Sequence, residues 1–345
     1  MSSIDFDPNG IGLDNGNFMG LPFTPENAKI EIISVPWDVT VSYADGTSSA
    51  PENILNASMQ LDLFQPEIKD AWKLGVYLNP SKPEWIALNI KLRNKAIKYI
   101  DFLANGNNIE DSAEFKEILN DINSYCEQLN EDVYKAAKKI ISEGKIPAVL
   151  GGEHSVPLGL LKALSETELD FGVLHIDAHM DLRNAYEGFQ YSHASIFNNA
   201  IKNGYVKNIV QVGIRDFCEQ EVEFAKANNV HVFHDYELKA NDFEGITWHK
   251  QCEQIISKLP QTVYISFDID GLDPQLCPNT GTPVPGGLTY DQAQYLIKLL
   301  VKSNRKIIGF DLCEVGGKDH EWDGNVGARL LYFLCNWTGR SNGLI

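Results

Sequence analysis

The chain has 345 residues, a length typical of one large α/β domain. Hydrophobic residues make up 43% of it and charged residues 22%, which is the composition of a globular protein. A formal net charge of −18 repels nucleic acid and anionic membrane surfaces and favours small cationic partners. The chain has no apolar run near the roughly 18 residues of a membrane span and no secretory signal. We therefore expect a cytoplasmic protein that binds neither nucleic acid nor membranes.

The first third of the chain contains few clear elements. Residues 1–28 are rich in Gly, Asn, Asp and Pro and are interpreted as an irregular arm. A strand is predicted at 29–35 and a helix at 51–61. Residues 65–110 show little periodicity apart from a short apolar run at 73–78 that fits a strand. This segment is interpreted as an insertion without an assigned structure.

The rest of the chain alternates between helices and short apolar strands. Helical spacing predicts one long helix or two in series at 109–144. Further strands are predicted at 146–150, 171–176, 209–214, 231–233, 263–267 and 306–312. Further helices are predicted at 157–164, 219–228, 245–257, 290–301 and 325–335. This alternation predicts a single doubly wound α/β domain over residues 1–345, with a mostly parallel sheet covered by helices on both faces.

Ligands of such sheets bind beyond the carboxyl ends of the strands, and ionisable residues follow the strand predicted at 171–176. Asp177, His179 and Asp181 alternate along the chain, so their side chains start on one face. Two buried acids need cations nearby, since an unpaired carboxylate is costly to bury. The alternative is a hydrogen-bonded polar strand end. His175 has the same parity but lies deeper, and is interpreted as a core or supporting histidine.

Three more predicted strands end in comparable residues. A Gly-Gly bend at 151–152 projects His154, Asp268 and Asp270 alternate after the strand at 263–267, and Glu314 follows the strand at 306–312. Taken alone, His154 fits an incidental turn residue and Glu314 fits a solvated strand end. The six cysteines are scattered without a C-x-x-C pair, so the available ligands are oxygen and imidazole.

This ligand set favours Mn²⁺ or another hard-to-borderline divalent ion. One ion rarely needs four carboxylates, whereas two ions that share bridging carboxylates do, and such a pair can hold a nucleophilic hydroxide. The sequence therefore predicts two divalent ions bound by one set of side chains: His154, Asp177, His179, Asp181, Asp268 and Asp270.

Together, these motifs resemble the ureohydrolase superfamily of arginases and agmatinases. The matching segments are GGEHS (151–155), DAHMD (177–181), SFDIDGLDP (266–274), GTPVPGGLT (281–289) and Glu314. DAH-x-D followed by S-F-D-x-D-x-x-D-P is a highly specific order, and the resemblance covers roughly residues 146–335. It implies an arginase-like three-layer sandwich that forms a homo-oligomer, either a trimer or a hexamer.

The resemblance also implies a reaction. Mn²⁺ is the favoured metal and Ni²⁺ the alternative, and a hydroxide that bridges the two ions would attack the guanidinium carbon of a small cationic guanidino substrate. The products would be urea and an amine or ammonia. One ion would be bound by His154 and Asp181, and the other by His179 and Asp270. Asp177 and Asp268 would bridge the two ions.

Further roles follow from the same resemblance. His193 matches the proton shuttle to the leaving amine, and Glu314 matches the acid that orients the guanidinium. Thr282, Tyr191 and Trp322 are candidate substrate contacts. Trp322 would act through a cation–π contact, and a packing role ahead of the last helix is its alternative.

The resemblance leaves the substrate open. Residues 181–195 look more like agmatinases than arginases, whereas 37–64 and 320–337 look similar to the branch that includes guanidine hydrolases. Agmatine and free guanidine are therefore the leading candidates. The alternatives are an arginase, a guanidinobutyrase or guanidinopropionase, a formiminoglutamase, a non-catalytic metal-binding homologue, or a one-zinc deacetylase of similar architecture.

Overall fold

A computed structural model describes residues 6–167, 169–317 and 319–345. Within these ranges, eight strands form one sheet in the order β2-β1-β3-β8-β7-β4-β5-β6, and every pair of neighbouring strands is parallel. The predicted doubly wound, mostly parallel sheet is confirmed. The strands are β1 Ile30–Val35, β2 Val76–Leu78, β3 Ile146–Gly151, β4 Gly172–Ile176, β5 Ile209–Ile214, β6 Val230–His234, β7 Thr262–Asp268 and β8 Lys306–Cys313.

Helices cover both faces of this sheet. Alternate strand residues point to opposite sides, so Ile32 belongs to one apolar core and Ile33 to the other. No helix of the described residues is long and apolar enough to cross a bilayer. The helices are α1 Ala50–Ser58, α2 Pro83–Ala104, α3 Ala113–Ser142, α4 Leu158–Ser165, α5 Ile196–Lys202, α6 Glu219–Ala227, α7 Asp235–Phe243, α8 Trp248–Ser257, α9 Tyr290–Lys302 and α10 Glu321–Ser341.

Three helices, α2, α5 and α7, are absent from the sequence-based prediction. In α2 the buried face includes Trp85, Leu92 and Tyr99, but Ile86 and Ile90 are exposed on the other side. Apolar residues on both sides obscure the helical period, so the 22-residue helix gives a weak pattern. Helices α5 and α7 have only 7 and 9 residues, about two turns each.

The irregular N-terminal arm, as far as it is described, packs against the domain. Phe18 and Leu21 are fully buried in the core that also contains β1. Asn17 donates hydrogen bonds to the carbonyls of Leu21 and Val76, which ties the arm to the edge strand β2. Side-chain hydrogen bonds thus replace regular secondary structure in this segment.

The carboxyl ends of four adjacent central strands meet at one edge of the sheet. β3 ends at Gly151, and the next residue, Gly152, passes so close to β1 that an added Cβ would lie 2.0 Å from the Trp37 carbonyl oxygen. Only glycine fits there, and the close approach lets the Glu153 amide donate to the same carbonyl at 2.7 Å. The bend fixes the position of the next residue, His154.

Candidate metal centre

One group of side chains at this edge surrounds His154. Its Nδ1 lies 3.1 Å from Asp177 Oδ2, 3.1 Å from Asp181 Oδ2 and 3.4 Å from Asp268 Oδ2. All four side chains are buried. They come from the ends of β3, β4 and β7, so the sheet order brings together residues that are far apart in the chain.

A second group surrounds His179 and shares one member with the first. His179 Nδ1 lies 3.5 Å from Asp177 Oδ1 and 3.1 Å from Asp270 Oδ2. Asp177 therefore faces one histidine with each carboxylate oxygen. Asp268 faces His154 with Oδ2, while its Oδ1 accepts the Asp270 amide at 2.8 Å. The structure thus brings all six predicted ligands together.

His154 is held by a hydrogen-bond chain that the sequence analysis missed. Its Nε2 lies 2.8 Å from Ser266 Oγ, and Ser266 donates its proton to Asp311 Oδ2 at 2.8 Å. Ser266 can therefore only accept from His154 Nε2–H. The signal for this role was the charged residue Asp311 between Phe310 and Leu312, inside an otherwise apolar strand.

The hydrogen bonds from His154 to Ser266 and from Ser266 to Asp311 determine which nitrogen of the His154 ring carries the proton. With the proton on Nε2, the neutral imidazole presents the Nδ1 lone pair to three carboxylate oxygens. A lone pair and carboxylates repel each other unless a cation lies between them. The donor set therefore fits a metal ion, and Ser266 and Asp311 orient the histidine for it.

His175 forms a hydrogen bond with the shared aspartate, Asp177, in agreement with its interpretation as a supporting histidine. Its Nε2 lies 2.7 Å from Asp177 Oδ2, and its Nδ1 lies 3.0 Å from Gln211 Nε2. Gln211 also donates to the Met180 carbonyl at 2.6 Å. Because Gln211 Nε2 can only donate, His175 accepts at Nδ1 and donates from Nε2 to Asp177.

The carboxylates of the site carry more negative charge than the protein around them offsets. Burial and the neighbouring Asp177 raise the pKa of Asp181 to about 7. Burial, Asp270 and Asp177 raise the pKa of Asp268 well above its usual range. The pKa of Asp177 is well below its usual range, because electrostatic interaction with His175 and hydrogen bonds to His154, His175 and His179 outweigh its burial. Two divalent ions would match the charge of the four aspartates.

A small cleft of about 120 Å³ opens onto these residues. His193 and Thr282 line it, as predicted for residues near the substrate, and Thr282 Oγ1 lies 3.5 Å from Asp270 Oδ2. The cleft also contains residues that the sequence analysis did not select. They are Ser42, Arg183, Tyr186, Ala194, Asp216 and Glu221.

Two candidate substrate contacts lie elsewhere. Tyr191 is partly buried against the apolar core on the α3 side of the sheet, and burial raises the pKa of its hydroxyl. Trp322 is 55% exposed and donates from Nε1 to the Gln275 carbonyl at 3.0 Å. Neither side chain belongs to the cleft lining, so the described contacts give no support to their predicted roles.

Glu314 is buried next to the first group of ligands. Its Oε1 accepts the His154 backbone amide at 2.9 Å, whereas its buried Oε2 has no hydrogen-bond partner among the described residues. Burial and the nearby Glu153 raise the pKa of Glu314 well above its usual range. A cationic donor placed against Oε2 would satisfy this oxygen and favour the charged carboxylate.

We predict that the metal-free protein loses stability as the pH rises through a window that begins near the unfolded pKa of histidine, about 6.5. Hydrogen bonds to carboxylates outweigh burial and raise the pKa of His154, and the charge of Asp270 does the same for His179. Groups with a raised folded-state pKa stabilise below their unfolded pKa, about 6.5 for histidine, and lose this contribution as pH rises. The raised pKa of Asp268 also makes the folded protein less stable as the pH rises. The melting temperature after chelation should fall across this window.

Bound Mn²⁺ should reverse this trend, because the metal replaces the lost protons. The rise in melting temperature on addition of Mn²⁺ should be larger at pH 8.5 than at pH 6.5. An equal rise at both values would contradict the proton–metal competition.

Asp177→Asn should remove most of the bound metal, because the substitution weakens both oxygens that the two groups share. The control is Asp273→Asn, in the same chain segment as Asp268 but with its Oδ1 bound to the Gln275 amide at 2.9 Å. Elemental analysis after dialysis against Mn²⁺ should give a low metal content for the first variant and the wild-type content for the second. Full metal retention by Asp177→Asn would exclude Asp177 as a shared ligand.

Comparisons with known proteins agree with this geometry. The model of the arginase family matches residues 28–332. The chain is 29% identical over 319 residues to the N(1)-aminopropylagmatine ureohydrolase of Thermus thermophilus, which covers 92% of this chain and 93% of that relative. It is also 29% identical over 291 residues to the agmatinase of Bacillus anthracis, over 84% of each chain.

Solved structures of an agmatine ureohydrolase and an arginase have the same fold. The crystal structure of the agmatine ureohydrolase of Thermoplasma volcanium superposes with a TM-score of 0.71 at 24% identity, over 94% of each chain. The arginase of Medicago truncatula superposes with a TM-score of 0.67 at 23% identity, over 90% of this chain and 88% of that one. The protein belongs to the arginase family and is a ureohydrolase, an enzyme that acts on C–N bonds in linear amidines.

Proposed function

We propose that the protein uses two divalent metal ions to hydrolyse a small guanidino compound to urea and an amine or ammonia. The observation that carries the proposal is the position of Asp177, which faces His154 with one oxygen and His179 with the other. The six predicted ligands would hold the ions, with Mn²⁺ favoured and Ni²⁺ as the alternative. When bound, the ions would activate a water molecule and offset the negative charge that develops during attack.

Glu314 would orient the substrate. Its Oε1 is fixed by the His154 amide, so the carboxylate cannot turn away from the metal ligands. Its free Oε2 lies beside Gly281, where an added Cβ would approach it to 3.1 Å. A side chain at position 281 would crowd this buried oxygen, so the glycine leaves space beside it for a flat guanidinium, which would pair with it by a charge-assisted hydrogen bond.

His193 would move a proton to the leaving group. Its backbone amide donates to Thr40 Oγ1 at 3.2 Å, which fixes the start of the short turn at His193–Ser195. Burial and the charge of His179 lower the pKa of His193 to about 3. The imidazole is therefore neutral near pH 7. A shuttle role would require the pKa to rise once the positive charge of His179 is lost to a bound metal.

The cleft supports a compact substrate. Its volume is about 120 Å³, and the Arg183 guanidinium stacks over the Tyr186 ring at 4.8 Å along its wall. We propose agmatine or free guanidine, in line with relatives named for agmatine and its aminopropyl derivative. A cytoplasmic location, a single domain and assembly into trimers or hexamers stay predictions of the sequence.

A urea-release assay tests the proposal. The purified protein is loaded with Mn²⁺ or Ni²⁺ and given agmatine, guanidine, arginine, guanidinobutyrate or guanidinopropionate. We expect metal-dependent release of urea, with agmatine or guanidine as the best substrate. If none of the five compounds gives urea with either metal, the proposed substrate class is wrong.

Glu314→Gln should weaken substrate binding. The amide keeps the shape of the side chain but removes the charge that would pair with the guanidinium, so KM should rise at least ~10-fold with unchanged metal content. Glu219→Gln, on the exposed start of α6, is the control. Equal catalytic efficiency in the wild type and Glu314→Gln would remove Glu314 from the substrate site.

His193→Ala should keep its metal but turn over slowly. Loss of a positioned proton carrier typically lowers kcat by about 10²-fold or more. His249→Ala, at an exposed position in α8, should behave as the wild type. Unchanged kcat in His193→Ala would mean that another group carries the proton.

A further inference from the structure

Two loops border the cleft, and both are held by α2. The 38–48 loop contributes Ser42 to the cleft, and the 181–193 loop contributes Tyr186 and His193. The metal chemistry assigns no role to α2, a helix that the sequence pattern did not reveal. Three of its polar side chains nevertheless reach the two loops: Asn89, Arg93 and Tyr99.

Arg93 lies against the inside of the 38–48 loop. Its Nη1 donates to the carbonyls of Val41 at 2.6 Å and Val39 at 3.3 Å, and its Nε donates to Asp45 Oδ2 at 3.3 Å. The side chain is only 12% exposed. A guanidinium with donors fixed in one plane can hold several loop acceptors at once, which an ammonium cannot do.

Asn89 closes the same loop at its base. It accepts the Asp38 amide at 2.8 Å and donates to Asp38 Oδ1 at 2.9 Å. The other oxygen of Asp38 accepts the amides of Gly46 at 2.8 Å and Ser48 at 3.1 Å. The loop is therefore closed on itself through Asp38 and attached to α2 through the same side chain.

Tyr99 holds the second loop. Its hydroxyl donates to the Glu187 carbonyl at 2.8 Å, and its ring packs against Phe189 at a centroid distance of 5.3 Å. Ala185 and Glu187 have φ values of 52° and 55°, a left-handed conformation that residues other than glycine rarely adopt. Such backbone persists where surrounding contacts hold it, and Tyr99 supplies one of them.

The two loops also contact each other directly. The His193 amide, at the end of the second loop, donates to Thr40 Oγ1 in the first loop at 3.2 Å. Arg93 binds the carbonyls on either side of Thr40 and the carboxylate of Asp45. A change at this single position should therefore loosen the first loop and, through this contact, the second.

We infer that α2 is a brace for the substrate cleft, with Arg93 and Tyr99 as positioning residues that set its shape. The inference rests on the proposed function, since it assigns the cleft to the guanidino substrate. Among the described contacts, the hydrogen bonds of Asn89, Arg93 and Tyr99 go to the loops and not to the six metal ligands. In the second loop the direct contacts of α2 are with Glu187 and Phe189 and not with the loop ends, Asp181 and His193. We therefore expect a change in the brace to affect substrate binding more than metal binding.

Kinetics of matched variants test the brace. Arg93→Met should raise KM about tenfold, with kcat and metal content within about twofold of the wild type. Arg93→Lys keeps one charged donor and should give a smaller rise. Tyr99→Phe removes one neutral hydrogen bond and should raise KM about threefold. Arg329→Met, an exposed α10 position bonded to Asn325, should match the wild type.

Hydrogen exchange gives a readout that does not need activity. In Mn²⁺-loaded Arg93→Met and Tyr99→Phe, peptides from residues 38–48 and 181–190 should exchange faster, while peptides from β4 and β7 should not change. If the wild type is active and both Arg93→Met and Tyr99→Phe have the wild-type KM, the inference is wrong. It is also wrong if these variants lose metal in proportion to their loss of activity. If the wild type releases no urea, the proposed function fails, and unchanged exchange in both loops would overturn the brace independently.

Discussion

The site depends on one buried carboxylate, Asp177, whose two oxygens face two different histidines. His175 donates to it from below, His154 lies beside one oxygen and His179 beside the other. Without cations, the surrounding aspartates repel each other, which is why burial and like charges raise the pKa values of Asp181 and Asp268. This repulsion lies where the metal ions would bind. Bound cations would balance the negative charge and favour ionised carboxylates and neutral imidazoles.

The order of the strands makes this arrangement possible. β3, β8, β7 and β4 are neighbours, and their carboxyl ends open at the same edge, so short strand-end segments converge without long connecting loops. Behind the predicted ligands, Ser266 and Asp311 hold the proton on Nε2 of His154, and Gly152 lets the chain turn at Trp37. The residues at the strand ends therefore both complete the fold and position the predicted ligands. The outer loops, which are attached to α2, line the cleft in front of the predicted ligands.

The sequence predicts the sheet well, and the six side chains that it selects as ligands lie together in the structure, because both depend on local patterns. Apolar strands alternate with helices, and acids at alternate positions mark the strand ends. The cleft lining is harder to predict, since Ser42, Arg183 and Glu221 are brought together by loops whose course depends on distant hydrogen bonds. Tyr191 illustrates this limit: it is two residues from His193 in the chain, yet its ring packs against the apolar core and is not part of the cleft lining.

Electron paramagnetic resonance of the protein loaded with two Mn²⁺ per chain tests the shared role of Asp177 most directly. Two ions about 3.5–4 Å apart with a common carboxylate should give an exchange-coupled spectrum. Asp177→Asn should abolish that coupling, and Asp273→Asn should preserve it. A spectrum of isolated Mn²⁺ at full loading of the wild type would contradict the account, since it would place the two ions at separate sites.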